Sequence, residues 1–472
     1  MTCIFGVSFL IFGNLAGNAL QFGIYMQAVI NPQCQDNCLK RGPVIAWAIS
    51  ILTICAVINI ATRKFSIWLN NMFAVMKVAL VVVMTFLGIA FGTIHGDGCK
   101  KIAWEHKGEG GQIGDVVLAL FYAMYPYTGY EQPYYVLAEV RRPKTLFANG
   151  VMYAMGTILV LYPLINTSYL CMNPYTGPQD ERNHHSTNAA IDFFWNLSNI
   201  NATGRGNTSE PDLRTVQGIS AMLALFIFGN LIAQTYTASR VKQEIAKEGI
   251  LPKSLFFAAG SDTLFARWFQ SKYAGSGEQA PMAATALHWG FEVLLVLIVG
   301  LRMEPNEAYN FLTYIYTFVI VGILGFLTVA GLLYLKVDSW LSPAPQYPGE
   351  RRRGRRWDEK REWWPWLDPL PCVVAVLALG FLLFGAFAKP SRTEDDGLSW
   401  WVKPVVGLCI PFLGVGWWLG LEVWQRKGGF RIVRRRVTYV DAVAGKDPVQ
   451  TAELVIIKHV TAASITPFDN HL

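Results

Sequence analysis

Long runs without a single Asp, Glu, Lys or Arg set the limits on what this chain can fold into. Residues 1–35, 42–62, 145–179, 215–239 and 308–335 are free of all four. The hydrocarbon core of a bilayer takes about 20 apolar residues per helix, and each run reaches that length. A soluble domain carries about 25% charged residues on its surface; here 15% are charged and 53% are hydrophobic. The class is a polytopic, all-α integral membrane protein, because runs this long suit helices rather than the roughly ten-residue strands of a barrel.

Ten spans follow from the hydropathy pattern: about 4–29, 43–61, 69–92, 115–138, 146–170, 216–238, 281–301, 308–335, 368–388 and 403–424. Trp363, Trp364, Trp366, Trp400 and Trp401 fall at span ends, where indole rings favour the interface. The opening segment does not read as a signal peptide: it has no basic start, and its apolar stretch runs too far. The transmembrane region is expected over residues 1–425, with a basic tail over 426–472.

Lys and Arg divide unevenly between alternate loops, 27 on one side and 12 on the other. Loops rich in these residues stay cytoplasmic, so both termini are expected inside. The run Arg351, Arg352, Arg353, Arg355 and Arg356 and the cluster Arg434–Arg436 lie on that side. Beside membrane spans they act as orientation signals that also touch anionic lipid; no nucleic-acid partner is expected. The loop 171–215 holds the acceptor tripeptides of Asn196, Asn201 and Asn207, which are modified only on the outer side. Cys34, Cys38, Cys99 and Cys171 also fall outside, where three disulfide connectivities are open to them. Cys3, Cys55, Cys372 and Cys409 fall within spans.

Ionisable groups inside spans are costly and face a cavity or a partner. Three stand out: Lys77, Glu131 and Glu292. Lys77 lies about 12 Å into its span at 1.5 Å per residue, which fits either a snorkelling side chain or an internal ammonium. Glu292 follows His288 by four residues, so both project from one helical face, as a structural pair or a proton relay. Glu131 sits in Tyr125-Pro126-Tyr127-Thr128-Gly129-Tyr130-Glu131-Gln132-Pro133, a stretch that cannot hold a regular helix. Broken backbone at membrane depth is tolerated only beside protein or a water-filled cavity, and transporters use it to present bare N–H and C=O groups to a substrate. In the first span Asn14, Asn18, Gln21 and Tyr25 share one helical face, while Gly13 and Gly17 permit close helix approach. The polar stripe serves interhelical hydrogen bonds or substrate contact.

No phosphate-cradling Gly loop, nucleophile–His–acid pattern or metal-ligand spacing appears. No enzymatic activity, cofactor or metal is expected.

At the broken fourth span the chain resembles the amino acid–polyamine–organocation (APC) superfamily of permeases, in the branch of the L-type amino acid transporters and fungal amino-acid and methionine permeases. The stretch Phe121–Pro143, ending Tyr135-Val-Leu-Ala-Glu139-Val-Arg-Arg-Pro143, is similar to that family's sixth helix. Thr237-Ala-Ser239-Arg240, followed by Ala246-Lys-Glu-Gly249-Ile-Leu-Pro252, resembles its cytoplasmic segment after helix eight. Asn71–Lys77 is similar to the start of its fifth helix, where a lysine in sodium-independent members takes the place of a bound sodium ion.

The resemblance implies a LeuT-type fold of inverted repeats. Span one aligns with helix three, so the family's helices one and two, with their Gly-Ser-Gly break, are expected to be missing here. It implies transport of an amino acid by alternating access, with Tyr125, Tyr127, Thr128, Gly129, Tyr130, Glu131, Asn14 and Asn18 at the substrate site. Lys77, with Thr237 and Ser239, would stand at the ion site, leaving proton symport or exchange and no sodium. The alternative is a truncated, non-transporting sensor on the same scaffold. Partners are the amino-acid substrate and the bilayer, the membrane is expected to be the plasma membrane, and an accessory subunit is not legible in the sequence.

Overall fold

The computed structural model describes residues 2–12, 15–32, 39–94, 112–137, 147–172, 190, 193–194, 196–197, 213–264, 279–341, 369–391, 398–441 and 449–461. The first span is helical over α1 (Thr2–Ile11) and α2 (Leu15–Ile30). Two long helices follow, α3 (Arg41–Ala61) and α4 (Arg63–Ile94). The fourth span comprises α5 (Ile113–Met124), a 3-10 turn at Tyr125–Tyr127 and the one-turn α6 (Gln132–Tyr135). Next come α7 (Ala148–Met172), α8 (Leu213–Lys247) and the short α9 (Ser254–Ala258). A two-residue ladder pairs β1 (Ser261–Asp262) with β2 (Gln279–Ala280). The chain continues through α10 (Met282–Arg302), α11 (Pro305–Tyr316), a π-helical segment Thr317–Leu324 and α12 (Gly325–Leu341). It ends with α13 (Leu370–Gly385), α14 (Val402–Gly428) and the antiparallel hairpin of β3 (Phe430–Asp441) and β4 (Val449–Thr461).

Ten helical segments stand where ten spans were expected. Among the described residues, eight are long and apolar enough to cross a membrane, and the segments at 113–127 and 370–385 are shorter. The tail expected to follow residue 425 folds in part as the hairpin. Its first strand is rich in Ile, Val, Thr and Tyr around the arginine run Arg434–Arg436, and the β-branched and aromatic residues fit a pleated ribbon. The hairpin is anchored to α14, because Gln425 Oε1 accepts the Ile432 N–H at 3.0 Å.

Local sequence explains the helix boundaries. Gln112 and Asp115 form a capping box at the start of α5, and Glu304 and Glu307 form one at the start of α11, ahead of and within a Pro-led first turn in the second case. Each box satisfies N–H groups that a helix start leaves bare. Asp115 also accepts from the Ser391 N–H at 2.7 Å, which ties α5 to the segment after α13. Between α3 and α4 the chain turns at Thr62, and Asn59 bridges the corner. Its amide donates to Cys55 O at 2.9 Å and Ile232 O at 3.3 Å, while its oxygen accepts from Ser66 Oγ at 2.8 Å.

The interior centres on α2, α3, α8, α10 and α11, with Leu20, Val44, Leu231, Ile232, Val296 and Ile315 at its heart. In lipid, helix association relies on close contact and interhelical hydrogen bonds rather than on expelling water. The α4–α7 contact shows both devices. A Cβ at Gly88 would collide with Ser168 Oγ, and that hydroxyl instead donates to Met84 O at 2.9 Å. The outer faces are apolar: Val75 and Phe86 on α4 are each 71% exposed and Phe384 on α13 is 80% exposed, as a surface bathed in hydrocarbon requires.

Cys171, at the end of α7, is disulfide-bonded, while Cys55, Cys372 and Cys409 are not. Cys34, Cys38 and Cys99 lie outside the described residues.

Candidate functional site

The fourth span loses its helix where the sequence places Pro126, Gly129 and Pro133. The regular ladder stops at Met124, and tight three-residue turns replace it. Thr128 N donates to Tyr125 O, Gln132 N to Gly129 O and Tyr134 N to Glu131 O, each at 3.0 Å. Gly129 has a φ of +102°, a conformation that a residue with a Cβ adopts only under strain. The reversal at Gly129 turns the chain so that Glu131 faces back along the break.

Glu131 is half-buried and supplied with donors. Its Oε2 accepts the Gly129 N–H at 3.1 Å, and its Oε1 accepts the Tyr316 hydroxyl at 3.0 Å and the Gln132 amide at 3.5 Å. Tyr316 lies at the end of α11, just before the π-helical segment; such segments recur at functional sites. The carboxylate thus fixes the unwound backbone and pins it to a helix 185 positions away in sequence.

Two further bonds hold the break against α2 and α8. The Tyr125 hydroxyl donates to Asn18 Oδ1 at 3.0 Å, and the Asn18 amide donates to Gln234 Oε1 at 3.3 Å. The Thr237 hydroxyl donates to Gln132 Oε1 at 2.6 Å. Side chains from α2, α8 and α11 therefore converge on one unwound turn.

The expected site residues do not all meet there. Tyr127 turns aside to pack at a tilt against Tyr162 of α7, the ring centroids 4.9 Å and the planes 52° apart. The Thr128 hydroxyl returns to Tyr125 O at 2.6 Å. Tyr130 is 42% exposed, with its hydroxyl toward Gly325. Asn14, Asn201 and Asn207 lie outside the described residues, and the Asn196 amide donates to Met172 O at 3.3 Å.

The expected ion site is not drawn together. Ser239 Oγ donates to Thr235 O at 2.6 Å, Thr237 is engaged with Gln132, and no hydrogen bond links Lys77 to either. One turn before Lys77, Phe73 fills the notch at Gly229, and Gly229 lies about 12 Å along α8 from Thr237 at 1.5 Å per residue.

Three participants escape a reading of the sequence. Gln132 and Gln234 carry a signal, since a glutamine at membrane depth needs a partner. Tyr316 carries none, because nothing marks it among neighbouring aromatics. Outside this site, Lys242 is fully buried with Nζ 2.7 Å from His288 Nδ1; it follows the apolar part of its span and reads as a loop charge. Among the described residues no group of three His, Cys, Asp or Glu is placed to hold a metal ion.

A many-helix membrane bundle with one span unwound at its interior, and that break held by polar side chains from three other helices, defines the class as a solute carrier of the membrane. The comparisons narrow it. The family profile of the amino acid permeases matches residues 1–410, and the chain belongs to that family. It is 23% identical over 452 residues to the high-affinity methionine permease of Saccharomyces cerevisiae, covering 93% of this chain and 67% of that protein. It is 23% identical over 242 residues to human solute carrier family 7 member 13, covering 51% of this chain and 47% of that one. A 150-residue match at 23% identity to the b(0,+)-type amino acid transporter 1 of Oryctolagus cuniculus covers 32% of this chain and 30% of that protein. The chain thus spans about two thirds of the first relative's length and about half or less of the other two. The family consists of transporters, not enzymes, and the chain is an integral membrane protein of the APC superfamily type.

Proposed function

We propose that this chain carries an amino acid across the membrane by alternating access, with the unwound turn Tyr125–Glu131 forming one wall of the substrate site. The observation that carries this reading is the break itself. It interrupts the backbone ladder inside the bundle, turns on a positive-φ glycine and joins α2, α8 and α11 through Asn18, Thr237 and Tyr316. Freed N–H and C=O groups at such a break match the carboxylate and ammonium of an amino acid. Asn14 and the tyrosines at 127 and 130 complete the proposed surroundings. Motion of α8 against α5–α6 would make and break the Thr237–Gln132 bond, which gives alternation a defined contact.

The cycle is proposed to run without sodium, by proton symport or exchange. Lys77 and Lys242 both place an ammonium inside spans, and a second cation beside an ammonium is repelled. The bias of Lys and Arg between loops supports cytoplasmic termini. Modification of Asn196, Asn201 and Asn207 would then mark the outer face and a plasma-membrane address. The yeast and rabbit relatives, a methionine permease and an amino acid transporter, support the substrate class.

Radiolabelled amino-acid uptake by cells expressing the chain tests this directly. Uptake above vector that falls in Glu131→Gln is the expected result; uptake equal to vector for the unaltered, membrane-inserted chain overturns transport by it.

A further inference from the structure

A second polar cluster lies apart from the broken span. On α8 the buried positions Thr235, Ser239, Lys242 and Ala246 form one stripe at helical spacing. Opposite it on α10 stand His288 and Glu292, one turn apart. Relative exposures are 0% for Lys242, 1% for His288 and 0% for Glu292. Lys242 Nζ is 2.7 Å from His288 Nδ1, and that nitrogen is 3.7 Å from Glu292 Oε1. His288 Nε2 has no hydrogen-bond partner, and neither oxygen of Glu292 accepts from a side chain; the Ala16 backbone N–H, in the first turn of α2, faces that carboxyl.

Further charge comes from Arg63 and Arg240, which line a cleft beside the cluster. Of the elements packed on α8 and α10, α1, α2 and α9 bring no acidic or basic residue, and α6 brings only tyrosines. Helix α3 has Arg41 at its start and Cys55; α4 has Arg63 and Lys64 at its start and Lys77; α11 has Glu307 in its first turn. Within the cluster, Lys242 and Glu292 act on each other and Lys242 acts on His288.

These distances set two requirements against each other. An ionised Glu292 balances the charge of Lys242, but leaves a carboxylate buried without a side-chain donor, a costly state. A protonated Glu292 removes that cost and leaves the ammonium unbalanced. Nδ1 cannot resolve the conflict, because it either accepts from Lys242 or donates toward Glu292, not both. With neither state preferred on both counts, a proton can enter and leave.

The position suits such traffic. A cleft lined by Asn59, Arg63, Ser239, Arg240, Pro281 and Thr285 opens beside the cluster; Ser239 and Thr285 lie one turn before Lys242 and His288 on their helices. On the other side, Gln234 and Thr237, which hold the broken span, sit on the same helix as Lys242.

We propose that Lys242, His288 and Glu292 form an internal proton-binding site whose loading biases α8 and so couples proton movement to the broken-span site. The proposal rests on the transport reading for its coupling, while the proton site stands independently of it. The proton resides on the carboxyl of Glu292 in the loaded state and leaves through the cleft in the unloaded one.

The test has two arms, on the full chain in nanodiscs and in proteoliposomes. In the first, infrared difference spectra between mildly acidic and mildly alkaline buffer are expected to show a protonated-carboxyl stretch that Glu292→Gln abolishes and His288→Gln shifts. An identical carboxyl band in wild type and Glu292→Gln overturns the proton site. In the second, an inward proton gradient of one pH unit supports up to about tenfold accumulation for one proton. The paired variant Lys242→Met with Glu292→Gln, which removes both charges together and so protects the fold, is expected to keep substrate counterflow while accumulation falls to a ratio of about one. Full gradient-driven accumulation in that variant overturns the coupling. Absence of counterflow in the wild type overturns the transport reading and leaves the infrared arm to decide the site.

Discussion

Glu131 and Glu292 both lie inside the bundle, yet their surroundings differ in kind. Glu131 sits in unwound backbone and receives an N–H, a tyrosine hydroxyl and an amide. Glu292 sits on the regular helix α10, where the N–H groups are spent on the helix's own ladder, and it faces His288, Lys242 and the backbone N–H of Ala16 in the first turn of α2. A break in a helix supplies donors as well as demanding partners. A carboxylate on intact helix must take its partners from other elements, as side chains or as the bare N–H groups of a helix start. The first arrangement holds a shape; the second holds a charge in suspense.

The contrast can be broken most severely at Lys242. Lys242→Ala leaves the other two groups buried without their cation, and removing one member of such a pair costs about 3–5 kcal/mol. The expected outcome is a marked fall in thermal stability in detergent micelles, largely recovered when Glu292→Gln is added. Equal stability of single and double variants would erase the distinction between the clusters. Glu131→Gln comes next. A hydrogen bond to a charged group contributes about 1.5–3 kcal/mol, so uptake should fall roughly 10–100-fold with the fold retained by circular dichroism. Gly129→Ala probes the same turn through the backbone, and a side chain at positive φ costs about 1–3 kcal/mol. Reduced uptake should accompany a lower unfolding temperature. The smallest effect is expected for Thr237→Val, which deletes a neutral bond of about 0.5–1.5 kcal/mol and should change initial uptake rates only a few-fold.

The break was legible before any coordinates, because Pro126, Gly129 and Pro133 impose it through local sterics. Its partners were legible only where a polar residue stands alone in an apolar run, as Asn18 does. Tyr316 meets Glu131 across 185 residues, a pairing that no local pattern encodes. The pair His288 and Glu292 followed from helical spacing. Lys242 did not, because α8 continues helical and buried after its apolar stretch ends, and hydropathy reads charge there as loop. The π-helical segment was hidden for a different reason: Thr317–Leu324 is buried throughout and apolar after Thr317, so its composition is indifferent to which ladder it uses. The hairpin after residue 429 carried a signal in its β-branched residues, masked by the density of arginines. The Lys77 site drew on the family resemblance alone, and the hydrogen bonds of Thr237 and Ser239 go to other groups than Lys77.

Helix α8 contains 35 residues and is about 52 Å long at 1.5 Å per residue, whereas a bilayer's hydrocarbon layer is about 30 Å thick. Such a helix must lean or stand proud of the membrane, by an amount the lipid sets. Because α8 bears Gln234, Thr237 and Lys242 along one length, a change of acyl-chain length would tilt all three at once. Where the helix leans, the thickness of the host membrane reaches all three side chains along a single lever.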